Sequence, residues 1–212
     1  MKKTYFMLGS CAMLLSVSSI AYSAEGPYVS GNLGIAMASD SDLSETGATG
    51  TMEFDKGFAF GVAAGYGFGN TRVEGEIAYQ KNDYDKLSLS VPGVGSFSGL
   101  NVDGDATSTA FLLNGYYDFK NNSSITPFIG AGLGFAKVDV GAISVPGVGT
   151  LTSSSDDTVF AYQIGAGVGF AVNEKVSLDL KYRYFATSDP DFEGTEAEYS
   201  SHNLYAGVRV SF

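Results

Sequence analysis

Four groups of residues in this chain have types and spacing suited to chemistry. Ser200, Ser201 and His202 follow closely on Glu196 and Glu198, which are the residue types of a nucleophile, its base and an orienting acid. Neighbours on an extended strand point to opposite faces, so Ser200 rather than Ser201 is placed to reach His202. Gly130-Ala131-Gly132-Leu133-Gly134 and Gly165-Ala166-Gly167-Val168-Gly169 have the glycine density of a phosphate cradle. Their spacing is strictly two and neither run opens a helix, so no nucleotide site is expected. Two acidic groups offer hard oxygen ligands for weak Ca²⁺ or Mg²⁺ bridging: Asp40, Asp42, Glu45, Glu53 and Asp55, then Asp189, Asp191, Glu193, Glu196 and Glu198. Neither has EF-hand spacing, so no metal ligand set is assigned. The fourth group is ionic and comprises Arg72, Glu74, Glu76, Asp118, Asp179, Lys181, Arg183 and Arg209.

The ionic residues recur at alternate positions, which is the side-chain period of a β-strand. Reading the whole chain for that period gives eight segments, at 28–37, 57–69, 72–81, 107–119, 125–138, 158–172, 176–185 and 203–212. In the last one Leu204, Ala206, Val208, Val210 and Phe212 share one face, while Tyr205, Gly207, Arg209 and Ser211 share the other. The connections alternate in length. Those at 39–56, 82–106, 139–157 and 186–202 are wide, and those at 70–71, 120–124 and 173–175 are tight. An even number of one-sided strands, with all long loops at one end, predicts a closed barrel in a membrane. A soluble barrel has no reason to expose aromatics outward in this way.

Eight strands enclose little more than side chains. Strands three and seven then oppose each other across the lumen, and strands two and six line it with Gly and Ala. Small residues leave the volume that long charged ones occupy. An unpaired ion there is costly, so the eight ionic residues are expected to pair into a plug rather than line a pore.

The ends bound the domain. Met1-Lys2-Lys3 is basic, positions 5–20 are apolar or small, and Ala21-Tyr22-Ser23 offers small residues at a cleavage site. A secretory leader over 1–23 is expected, with the barrel occupying 24–212. Cleavage removes Cys11, the only cysteine, so no disulfide or thiol ligand remains. No later apolar stretch approaches the ~20 residues of a membrane helix. Without Lys2 and Lys3 the chain carries 10 Lys and Arg against 23 Asp and Glu, a net charge near −13. That balance excludes a nucleic-acid partner, which needs a basic footprint.

Asn114-Gly115-Tyr116-Tyr117-Asp118-Phe119, then Thr126-Pro127-Phe128-Ile129-Gly130-Ala131-Gly132-Leu133-Gly134, resembles the small barrels of the opacity-protein and surface-antigen family, with their OmpA-like membrane domain. Tyr28-Val29-Ser30-Gly31-Asn32 and the terminal Phe212 are similar too. The resemblance implies an all-β, eight-stranded antiparallel up-and-down transmembrane β-barrel with short periplasmic turns and four long extracellular loops. It also implies a place in the Gram-negative outer membrane, amid lipid and lipopolysaccharide. The closing Val208, Val210 and Phe212 resemble the C-terminal signal read by the barrel-assembly machinery.

Family members differ in what their loops contact, and one loop feature here is individual. Ser90-Val91-Pro92-Gly93-Val94-Gly95-Ser96-Phe97-Ser98 recurs as Ser144-Val145-Pro146-Gly147-Val148-Gly149-Thr150-Leu151-Thr152. Pro-Gly favours a type II turn at each centre. The flanking alternation of Leu87, Leu89 and Val91 extends the hairpins above the membrane. Val91, Val94, Phe97, Val145, Val148 and Leu151, around Pro92-Gly93 and Pro146-Gly147, are therefore candidates for contact with host or neighbouring-cell molecules. The expected function is an envelope surface protein with an adhesive or surface-antigen role. It is not expected to be an enzyme and needs no cofactor. A small porin-like diffusion channel is the alternative, and an outer-membrane lipid-modifying enzyme using the Ser200/His202 pair is a distant third.

Overall fold

The computed structural model describes residues 25–39, 41–45, 48–91, 95–142, 144–145, 149–150, 154–188, 191–192, 195–196 and 199–212. The expected leader lies outside the described residues, as do Pro92, Gly93, Val94, Pro146, Gly147, Val148 and Leu151 of the repeat. The side chains of Val91, Phe97 and Val145 also fall outside them.

Eight long strands follow one another as Gly26–Ala38, Gly57–Phe68, Thr71–Val91, Asp105–Asp118, Ile125–Val140, Ser155–Ala171, Val176–Thr187 and Ser200–Ser211. Each pairs antiparallel with the next. The first also pairs with the last, from Tyr28 opposite Ser211 to Ala38 opposite Ser201, so the sheet closes on itself. Closure satisfies every strand edge within the barrel. The expected eight-stranded up-and-down barrel is the observed fold, with its four long connections at one end.

Alternation explains both faces. Leu33, Val62, Ile77, Leu113, Leu133, Ile164, Leu180 and Leu204 all stand exposed on the outer wall. The intervening positions turn inward and are largely buried. Short connections need little sequence: Gly69, at φ +64°, turns the second strand into the third.

The third strand departs from expectation. It runs 21 residues to Val91 rather than ending near position 81. The polar stretch Lys81-Asn82-Asp83-Tyr84-Asp85-Lys86 reads as loop, yet Asn82 and Tyr84 are buried while Asp83 faces outward. Polarity and strand geometry are therefore compatible at the rim. Beyond it the strand gains two partners, Ala48–Phe54 on one side and Gly95–Asn101 on the other. Ser41–Glu45 adds to Ala48–Phe54, which completes a four-stranded sheet standing on the long-loop end. The other expected hairpin is present as Ser144–Val145 with Gly149–Thr150. Paired backbone bonds of 2.8 and 3.0 Å between Asp103 and Ser144 tie the second long connection to the third.

Candidate functional site

The interior is built in layers. Nearest the short-turn end, Arg72 forks onto Asp118, with Nε 2.9 Å from Oδ2 and Nη2 2.9 Å from Oδ1. The same guanidinium lies 4.7 Å from the Tyr116 ring centre and 5.1 Å from that of Phe128. Arg209 forks in the same manner onto Asp179, at 3.1 and 3.0 Å. Two-pronged charge-assisted bonds of this kind fix geometry as well as supplying energy.

The next layer spans the lumen. Arg183 on the seventh strand donates from Nη1 to Glu76 Oε1 on the third, 3.0 Å away, and its Nη2 donates to the Tyr205 hydroxyl. Glu76 Oε2 also accepts from Asn114 at 2.7 Å and from Gln163 at 3.2 Å. Arg183 and Glu76 are 2% and 3% exposed. Glu74 accepts from the Tyr28 hydroxyl at 3.0 Å and from Asn114 at 3.3 Å. Lys181 makes no direct ion pair among the described residues, and its Nζ lies 5.8 and 5.5 Å from the ring centres of Tyr116 and Tyr205. Of the eight residues singled out in the sequence, six stand in three ion pairs, while Glu74 and Lys181 stand outside them.

Toward the long-loop end the lining changes character. Tyr84, Val102, Leu112, Val138, Phe185 and Tyr199 belong to one buried apolar cluster. Val102 and Tyr199 come from the second and fourth long connections, and both residues are buried in the mouth. Gln80 donates to the Tyr199 hydroxyl at 2.9 Å, anchoring that residue over the lumen. Asn82 donates to the backbone carbonyls of Ala36 and Asp55, both at 3.0 Å, holding down the first connection. Burial pushes the Tyr84 and Tyr199 phenols upward in pKa, so both stay neutral. This apolar cap is not among the features expected from the sequence. Its signal was the inward-facing triplet of Ala106, Ala110 and Leu112, which is apolar where a water-filled lumen would be polar.

The other sequence motifs resolve into structural roles. Gly130, Gly132 and Gly167 stand opposite bulky lumen groups, while Gly165 lies against the backbone of Tyr182 and Arg183. A side chain at Gly130 would meet Tyr116, one at Gly132 would meet Asn114, and one at Gly167 would meet Phe128. His202 lies on the outer wall with Nδ1 2.6 Å from the Tyr182 hydroxyl. Ser201 is buried against Gln80, and the Ser200 hydroxyl donates to Ser39 Oγ at 3.0 Å. Among the described residues neither serine bonds the histidine, and Glu198 lies outside them. Asp40, Asp189, Glu193 and Glu198 of the acidic groups also fall outside, so those groups are described only in part.

The closed barrel with its apolar outer wall agrees with what the sequence of the chain matches. The family model described as outer membrane protein beta-barrel domain aligns with residues 9–212. The chain belongs to that family. Its apolar wall accordingly faces the lipid of the Gram-negative outer membrane, as the resemblance to opacity-type barrels implied. The chain is 26% identical over 220 residues to the outer membrane protein PagN of Salmonella typhimurium, covering 96% of this chain and 92% of that one. It is 32% identical to a Rickettsia conorii protein named as a candidate adhesin, over 74% of this chain and 69% of that one. Among solved structures, the crystal structure of Neisserial surface protein A superposes with a TM-score of 0.56 at 25% identity, over 89% of this chain and 98% of that one.

Proposed function

We propose that this barrel is an adhesive surface protein: a lipid-embedded scaffold, closed to solutes, that holds its four long connections outside the cell. The observation that carries this reading is the double filling of the lumen, ion-paired below and apolar above. The interior is spent on packing, which leaves the long-loop end as the part free to contact other molecules. The likeness to a named candidate adhesin supports the same assignment. On this reading residues 1–23 are a cleaved leader, Val208, Val210 and Phe212 form the assembly signal, and lipopolysaccharide surrounds the outer rim. No residue is assigned a catalytic role.

Charge narrows the partner. Among the described residues, every acidic residue except Glu25, Glu74, Glu76, Asp118, Glu174 and Asp179 lies at the long-loop end. The basic residues there are Lys56, Lys81, Lys86 and Lys137, and Lys81 and Lys137 are already bridged to Asp105 and Asp139. Such a surface repels polyanionic glycans and steers basic partners. Replacing 91–97 and 145–151 with Gly-Ser should reduce binding of the refolded barrel to host cells about tenfold, or ~1.4 kcal/mol. Immobilised heparin should retain neither form at physiological salt. Unchanged cell binding would remove the loop tips from the contact.

The channel alternative makes the opposite forecast in planar bilayers. The filled lumen predicts no stable conductance step, and none gained or lost with Glu76→Ala or Arg183→Ala. A steady conductance that either substitution changes would establish a pore.

A further inference from the structure

Glu74 and Lys181, the two lumen charges without a direct ionic partner, line the same small cavity together with Ser30, Asn32, Arg72 and Asp179. Both are at least nine-tenths buried. A buried ammonium with no hydrogen-bond acceptor is costly. The ring faces of Tyr116 and Tyr205 offset part of that cost through cation–π attraction, but they accept no proton. The neighbouring charges are committed elsewhere, Arg72 to Asp118 and Asp179 to Arg209. The cavity measures about 10 Å³. That is the space one water needs, and it is too small for a hydrated ion or an organic ligand.

We propose that this cavity binds one structural water, which accepts from Lys181 Nζ and donates to the Glu74 carboxylate. The fourth cation and fourth carboxylate of the lumen thereby become a water-bridged pair, and the interior closes electrically neutral. A second observation points the same way. In the adjoining layers Arg183 Nε, Gln163 Oε1, Ser108 Oγ and Asn203 Oδ1 are buried without a hydrogen-bond partner among the described residues. Three of these residues belong to strands already linked through Glu76 and the pairing of Arg183 with Asn203. Polar capacity of this kind is met by buried water in folded proteins. The apolar cap above and the Arg72–Asp118 fork below keep such water from exchanging freely.

The test is water-selective cross-relaxation on the isotope-labelled, refolded barrel, read at the Asn32 side-chain amide on the cavity wall. Wild type should show a cross-peak from long-lived water. Lys181→Met should lose it, because the apolar chain offers the water no donor. Lys181→Arg should lose it too, since the larger head fills the space and reaches Glu74 directly, and this variant keeps the charge balance needed for folding. A wild-type spectrum without the cross-peak overturns the proposal. Persistence of the cross-peak in Lys181→Arg also overturns it, because the water would then be held elsewhere.

Discussion

Arg183→Met should lower the unfolding free energy of the refolded barrel by about 3–5 kcal/mol, read from the urea midpoint at constant m-value. The substitution leaves the Glu76 carboxyl in the wall without its guanidinium partner, 3% exposed, with Asn114 and Gln163 as its remaining donors. Two neutral amides cannot replace a guanidinium for a carboxylate removed from water. The Tyr205 hydroxyl loses its charged donor at the same time. Glu76→Leu combined with Arg183→Met should recover most of the loss, because an apolar pair of similar volume demands no solvation. The recovery separates the cost of a stranded charge from that of lost packing. If the single variant unfolds at the wild-type midpoint, the pair contributes nothing to closure, and the charged layer is then no structural plug.

The barrel was legible in the sequence because one-sided strands leave a period-two pattern that survives any register. The inward set on the third and seventh strands followed from that pattern, and Arg183 does meet Glu76 across the lumen. The partners of the individual charges were not legible. Adjacent-strand pairing of Arg72 with Asp118 and of Arg209 with Asp179 depends on strand stagger, which composition does not encode. Tyr28 was likewise invisible as a donor to Glu74, since its reach depends on the same stagger. The overlong third strand was misread for a different reason. Alternation continues through Lys81 to Lys86, but in polar residues, and hydrophobicity alone does not register it. The four-stranded sheet above the rim and the apolar cap both follow from that extension. Tyr84 lies on it, and Phe54, its cross-strand partner, packs tilted against Tyr84 with ring centres 5.6 Å apart.

The glycines of the fifth strand carry the second large effect. Gly130→Val should destabilise the barrel by about 3 kcal/mol or more, or prevent refolding, as judged by loss of the heat-modifiable band and by the urea midpoint. A Cβ at Gly130 runs into the Tyr116 ring from the neighbouring strand. That ring cannot retreat: it packs edge-on to Phe128 with ring centres 5.8 Å apart and lies under the Arg72 guanidinium. Moving it would disturb the fork onto Asp118, so the cost adds overpacking to a strained buried ion pair. The control is Gly115→Val one strand away, where nothing lies within 4 Å of an added Cβ. There a β-branched side chain enters lipid and removes glycine's backbone entropy, so a gain of about 0.5–1 kcal/mol is expected. Two glycines cross-strand neighbours by one position should thus answer the same substitution with opposite signs. Equal responses would mean that glycine acts here through backbone flexibility. Opposite ones identify its work as leaving room for Tyr116, and with it for the charged floor that closes the lumen.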